Sequence, residues 1–244
     1  MVSDPLAPLL ELAEVADSLE NARFAVDRTL WHKALRHKGS AIAAEVSLRC
    51  AVASAELDGA AYPLDEVRAG TVTDPVVQGA LRVATELPNL VATWSTAPRQ
   101  VLARLHLLAA RDLAADDDLG RPVVNASGNS RLDTLCALIT SESKLPASLV
   151  AAVVHGELLA LRPFPVAGGV VARAAARLTL ASRGLDPLLL IAIDCGHLRR
   201  GPEYTGGCHS FATGTPDGLR AWLKHYGMAL EAGADESSRV CNTV

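Results

Sequence analysis

Along most of the chain, apolar residues recur every three to four positions, the spacing that gives a helix one buried face. The stretch 41–57 places Ile42, Val46, Ala53 and Leu57 against Glu45, Arg49 and Glu56, which predicts an amphipathic helix closed by Gly59. Thr73-Asp74-Pro75 reads as a second helix start, a capping side chain followed by proline where no N–H is needed. Thr215-Pro216-Asp217 repeats that signature ahead of a helix over 219–232. Further helices are predicted at 98–111, 130–140, 146–161, 169–182 and 187–197, with loops at 116–118 and 125–129. Alternating β-branched runs are missing and no repeat recurs along the chain, so the expected fold is all-α: one compact domain over 1–244, built from roughly nine helices.

Composition narrows the function classes. Half of the residues are apolar, enough for one large core, and the formal charge of −4 supplies no overall field for nucleic acid or an anionic membrane. Arg177 and Arg183 alone make no basic stripe, so neither nucleic acid nor membrane is expected as a partner. Met1-Val2-Ser3-Asp4-Pro5 lacks the basic and apolar regions of a signal peptide, and apolar runs such as 188–193 are too short to span a bilayer, which points to the cytoplasm. Cys50, Cys136, Cys195, Cys208 and Cys241 follow no metal-binding or disulfide spacing and read as reduced thiols. No cofactor and no metal site are expected.

Chemistry concentrates in Arg162-Pro163-Phe164-Pro165-Val166-Ala167-Gly168-Gly169-Val170-Val171-Ala172-Arg173, between two strong helices. A glycine-rich turn opening a helix leaves free N–H groups at the positive end of the helix dipole, a seat for an anion. The segment resembles the Fic signature, His-Pro-Phe-x-acid-Gly-Asn-Gly-Arg-x-x-Arg. Upstream, Ser54-Ala55-Glu56-Leu57-Asp58-Gly59 resembles the inhibitory helix of the same family, Ser/Thr-x-x-x-Glu-Gly/Asn. The resemblance implies N-terminal helices over 1–97, including the inhibitory-like segment 54–59, and a Fic-like core over 98–232.

In active members, the resemblance implies, the motif histidine takes a proton from the target hydroxyl, the acid holds magnesium, and two arginines with the asparagine hold phosphates. Arg162 stands at the histidine position and cannot act as a base near neutral pH. Val166 replaces the acid and offers no oxygen to a hard cation; Gly168 replaces the asparagine, Val170 the first arginine and Ala167 the first glycine. Pro163, Phe164, Gly169 and Arg173 keep the pattern. The flap that would hold a protein target, 121–133, is short and polar. The reading is a catalytically inactive Fic-like domain with no catalytic residue assigned.

Arg162, Gly168, Gly169 and Arg173 are the anion- or nucleotide-binding candidates, and Ser54, Asp58 and Gly59 the inhibitory-like group, with Asp58 expected to face Arg173. The partner is a phosphate-containing small molecule or a protein. The alternative is an enzyme of different, non-AMPylating chemistry, with Arg162 as a clamp and a base such as His155; a packed turn without any ligand competes with both. His106 and His155 sit in apolar helices, where histidine is usually structural. Asp116 to Asp118 lack calcium-loop spacing, Asp194, Cys195 and His197 form no triad by sequence proximity, and Gly168-Gly169 follows no strand as a dinucleotide fingerprint does.

Overall fold

The computed structural model of the chain describes residues 4–244. After a short 3-10 turn, Ala7–Glu11, the helices are α1 (Val15–Leu30), α2 (Leu35–Leu57), α3 (Leu64–Arg68), α4 (Pro75–Trp94), α5 (Pro98–Ala110), α6 (Ala126–Thr140), α7 (Ala147–Leu161), α8 (Gly168–Ser182), α9 (Ile193–Arg199), α10 (Gly201–Ala212) and α11 (Pro216–Thr243). No strand occurs among the described residues, and no helix among them is long and apolar enough to cross a membrane.

The centre of the domain is the pair α7 and α8. Every residue from Ser148 to Gly156 and from Val170 to Ala181 is buried, as a helix apolar on all sides requires. On one side α2, α4 and α5 close a core around Leu87, Trp94, Leu105, Val154, Phe164 and Leu178. On the other, α1, α10 and α11 close a second around Leu19, Leu149, Leu180, Trp222 and Tyr226. Helix α9 lies between α2 and α11, close enough that a side chain on Gly196 would run into the α11 backbone at Ala229. The turn joining α7 to α8 is therefore held at both ends by buried helices, which makes it a rigid support for a site.

Helix starts follow the expected chemistry. Asp74 accepts from the Val76 and Val77 amides at 2.9 and 3.3 Å, and Thr215 accepts from the Gly218 amide at 3.2 Å, each before a proline in the first turn. Four expectations are corrected. The loop at 125–129 is mostly helix: Asn125 caps α6 by accepting from the Gly128 amide at 2.8 Å, so Ala126–Asn129 form its first turn. The helix predicted over 187–197 begins only at Ile193. The buried Asp186 carboxylate captures the Leu190 and Ile191 amides at 2.8 and 2.9 Å, which diverts this backbone from helical bonding, and Leu189 takes a positive φ of 55°. Helix α2 starts at Leu35 and is kinked at Lys38, and α11 runs on to Thr243, both beyond the ranges read from periodicity. Helices α1, α3 and α10 had not been predicted.

Candidate functional site

Helix α7 ends where Arg162 turns into the left-handed conformation, φ 49°, while its amide still bonds back to Leu158 at 3.0 Å. Pro163 and Phe164 then fix the loop. The Pro163 carbonyl accepts the Val123 amide at 2.8 Å, and the buried Phe164 ring stacks on His106 with centroids 4.2 Å apart. His106 is held in turn by the Gly120 amide, which donates to its Nδ1 at 2.9 Å. Burial lowers the His106 pKa, against the opposing pull of the Val166 carbonyl, so the ring is a neutral packing element. Ala167 makes the last turn at φ 53°, a strained value for a residue with a Cβ, and Gly168 opens α8.

The N-terminus of α8 is met from within the protein. Asp58, the C-cap of α2, accepts the Val170 amide on Oδ2 at 3.2 Å and a bond from Arg173 Nη2 on Oδ1 at 2.6 Å. The turn that aims it there needs Gly59 at φ 95°, and a Cβ on Gly169 would overlap the Asp58 carboxylate. Arg173 is only 2% exposed and its donors are almost fully used: Nε to Ser54 Oγ at 2.8 Å, Nη2 to the Ser54 carbonyl at 2.8 Å, and Nη1 to Tyr204 Oη at 3.1 Å. Burial works against its charge, but Tyr204, Asp58 and Asp194 outweigh that cost and its pKa is raised. The structure thus gathers Ser54, Asp58, Gly59, Gly169 and Arg173 into one contact, with Asp58 facing Arg173 as expected. Arg173 does not open toward solvent, and its charge is matched by Asp58.

Arg162 stands apart from that contact. It is exposed, makes no ion pair among the described residues, and lines a cavity of about 640 Å³ in front of the loop. Gly168 shares this wall, and a side chain there would meet nothing within 4 Å. The Gly168 and Gly169 amides make no hydrogen bond among the described residues. The remaining walls are largely apolar, from Val76, Leu113, Leu158, Phe164 and Val166, and the floor carries Asp58.

No protein-family model matches the chain, and no curated protein matches its sequence. Solved structures do match. A Fic family protein from Desulfovibrio desulfuricans G20 superimposes with TM-score 0.72 at 15% identity, covering 95% of this chain and 76% of that one. Fic-1 of C. elegans, residues 134–508, superimposes with TM-score 0.75 at 18% identity, covering 97% of this chain and 75% of that one. The chain has a Fic-like fold.

Within this Fic-like frame the other candidates disperse. His155 points away from the loop into a fully buried cluster: it is 0% exposed, and its Nε2 lies 3.1 Å from Tyr204 Oη. Because Arg173 can only donate to Tyr204, the tyrosine proton is free to go to His155 Nε2, which leaves the histidine neutral. Burial first, and then Arg173, depress its pKa, so it is no base for chemistry in the cavity. Asp194, Cys195 and His197 do not form a nucleophilic triad. Asp194 approaches Arg177 at 3.8 Å, Cys195 is pushed well above the ordinary thiol pKa by a hydrogen bond with the free Cys50 thiol and by burial, and His197 Nδ1 pairs with His225 Nε2 at 3.0 Å. Asp116 to Asp118 form a single exposed 3-10 turn, and no cluster able to hold a metal occurs among the described residues.

Two residues that sequence reading missed belong to the site. Tyr204 completes the Arg173 anchor, and His209 of the same helix α10 lines the cavity. Neither carried a local signal, since α10 reaches the loop only through tertiary packing.

Proposed function

We propose that this Fic-like domain transfers no nucleotide and that its loop cavity binds a singly charged organic anion with an apolar body. The observation that carries this reading is the Asp58 carboxylate on the α8 N-terminus, bonded to both the Val170 amide and Arg173. A polyphosphate placed on that helix end would meet a carboxylate already in position, with Arg173 committed to it. Magnesium does not fit these residues: Val166 offers no oxygen, and the carboxylate at hand, Asp58, is engaged by two donors. No step through a metal is derived. What stays free for an outside ligand is the Arg162 guanidinium and the Gly168 amide, enough for one negative charge, beside apolar walls that suit a hydrocarbon or ring.

Two measurements test this. Incubation with labelled ATP, magnesium and a lysate is expected to leave every protein unlabelled; labelling that disappears in Arg162→Ala would overturn the reading. In thermal-shift titrations at low ionic strength, monoanionic carboxylates or phosphodiesters with an apolar body are expected to raise the melting temperature more than ATP does. The effect should fade with salt and in Arg162→Ala. A folded protein with no anion affinity at low salt would leave the loop as a packing turn.

A further inference from the structure

One helical turn beyond Arg173, α8 carries a second buried arginine. Arg177 is 4% exposed, and its acidic neighbour on α9, Asp194, is 3% exposed. The two arginines are held differently. Arg173 meets Asp58 at 2.6 Å and has acceptors for Nε, Nη1 and Nη2, whereas Arg177 lies 3.8 Å from Asp194, beyond hydrogen-bond reach. Arg177 Nε and Asp194 Oδ1 have no partner among the described residues. Asp186, the other acid whose charge reaches Arg177, is committed to the Leu190 and Ile191 amides. Arg177 and Asp194 both line a pocket of about 10 Å³ between α2, α4, α8 and α9. Ser54, Cys50 and Ala84 are among its other walls, and every lining residue is buried.

A buried ion pair that stops short of contact, with a donor and an acceptor left over, calls for a hydrogen-bonding bridge. The pocket decides what that bridge is. Its volume of about 10 Å³ is the room of a single water molecule. A cation there would face the Arg177 guanidinium and an anion the Asp194 carboxylate, so the occupant is neutral. It must also accept from one side and donate to the other, as water does. A third partner is at hand. Ser54 Oγ accepts from Arg173 Nε, which leaves its own proton without an acceptor among the described residues. Two bonds accepted and one donated make the roughly three partners typical of an internal water. We infer that α2, α8 and α9 enclose one ordered water, bonded to Ser54, Arg177 and Asp194. Through Ser54 this water ties the buried ion pair to the Arg173–Asp58 contact, so the support of the loop extends as one hydrogen-bond network from α2 to α9.

Two measurements test it. A crystal structure that resolves ordered solvent should show one water within about 3.2 Å of the Arg177 guanidinium, the Asp194 carboxylate and Ser54 Oγ. A direct Arg177–Asp194 hydrogen bond with no solvent between the two overturns the proposal. In solution, the full chain labelled with nitrogen-15 should give a cross-peak between Arg177 Nε–H and the water resonance, with the sign of a long-lived contact in both NOESY and ROESY spectra. The buried Trp222 indole N–H, which donates to the Ala152 carbonyl at 2.8 Å, is the dry control and should give none. Ala84→Val grows a side chain into the pocket and should abolish the Arg177 cross-peak while the other amide signals persist. Val83→Ile fills the same wall by one methylene if the larger change fails to fold. A cross-peak absent from the parent, or one that survives in a folded pocket-filled variant, overturns the proposal and leaves Arg177 and Asp194 as a dry pair.

Discussion

Asp58 is the residue on which the candidate site turns. Its carboxylate does from inside the protein what a bound anion would do from outside, capping α8 and neutralising Arg173. Removing it by Asp58→Ala leaves a guanidinium that is 2% exposed with only neutral partners, Ser54 and Tyr204. Breaking such a buried pair costs about 3 kcal/mol. The same change vacates the helix end, so phosphate or sulfate should recover part of the lost stability in the variant and much less in the parent. Urea melts of both proteins with and without phosphate check this; a loss that no anion recovers would mean the helix end is closed to solvent even without Asp58. The equivalence of carboxylate and anion is readable in the sequence only through the resemblance, because Asp58 and Arg173 lie 115 positions apart.

At the level of elements, the segment between α8 and α9 shows how one side chain overrules periodicity. Residues 187–197 have the composition of a helix, yet Asp186 bonds to the Leu190 and Ile191 amides and holds 187–192 in an irregular path that leads into α9. Burial raises the Asp186 pKa while those two amides lower it. Asp186→Ala leaves both amides buried without an acceptor, at about 1–3 kcal/mol each. A drop of about 3 kcal/mol in unfolding free energy, with an unchanged denaturant slope, is the expected outcome of chemical denaturation. A variant as stable as the parent would show that the turn is imposed by packing against α11 instead. The same logic explains the missed start of α6, where Asn125 turned an apparent loop into a cap.

At the scale of the whole molecule, three histidines from α7, α9 and α11 meet in one buried cluster: His155, His197 and His225. Burial is the main cause that lowers all three pKa values, that of His225 to about 4. A depressed folded pKa means that the unfolded chain binds the proton more readily. The stabilisation is therefore complete above the unfolded value near 6.5 and is lost as pH falls through the window toward the folded values. With all three titrating, stability should decline ever more steeply as pH falls below that point, each histidine contributing at most about 1.4 kcal/mol per pH unit. Urea midpoints at pH 7, 6 and 5 check the slope; a flat profile would mean that the cluster opens to water. None of this convergence was legible in advance, since the three histidines lie on three different helices and only their packing brings them together. What the sequence by itself determined is the all-helical class, most helix positions, and the glycine-rich loop between two helices, because periodicity, capping and glycine placement act within a few residues. Tertiary structure alone decided that Arg173 is buried and Arg162 exposed, and that α10 brings Tyr204 and His209 to the site. Those outcomes depend on contacts between residues far apart in the chain, whose energies the local pattern does not encode.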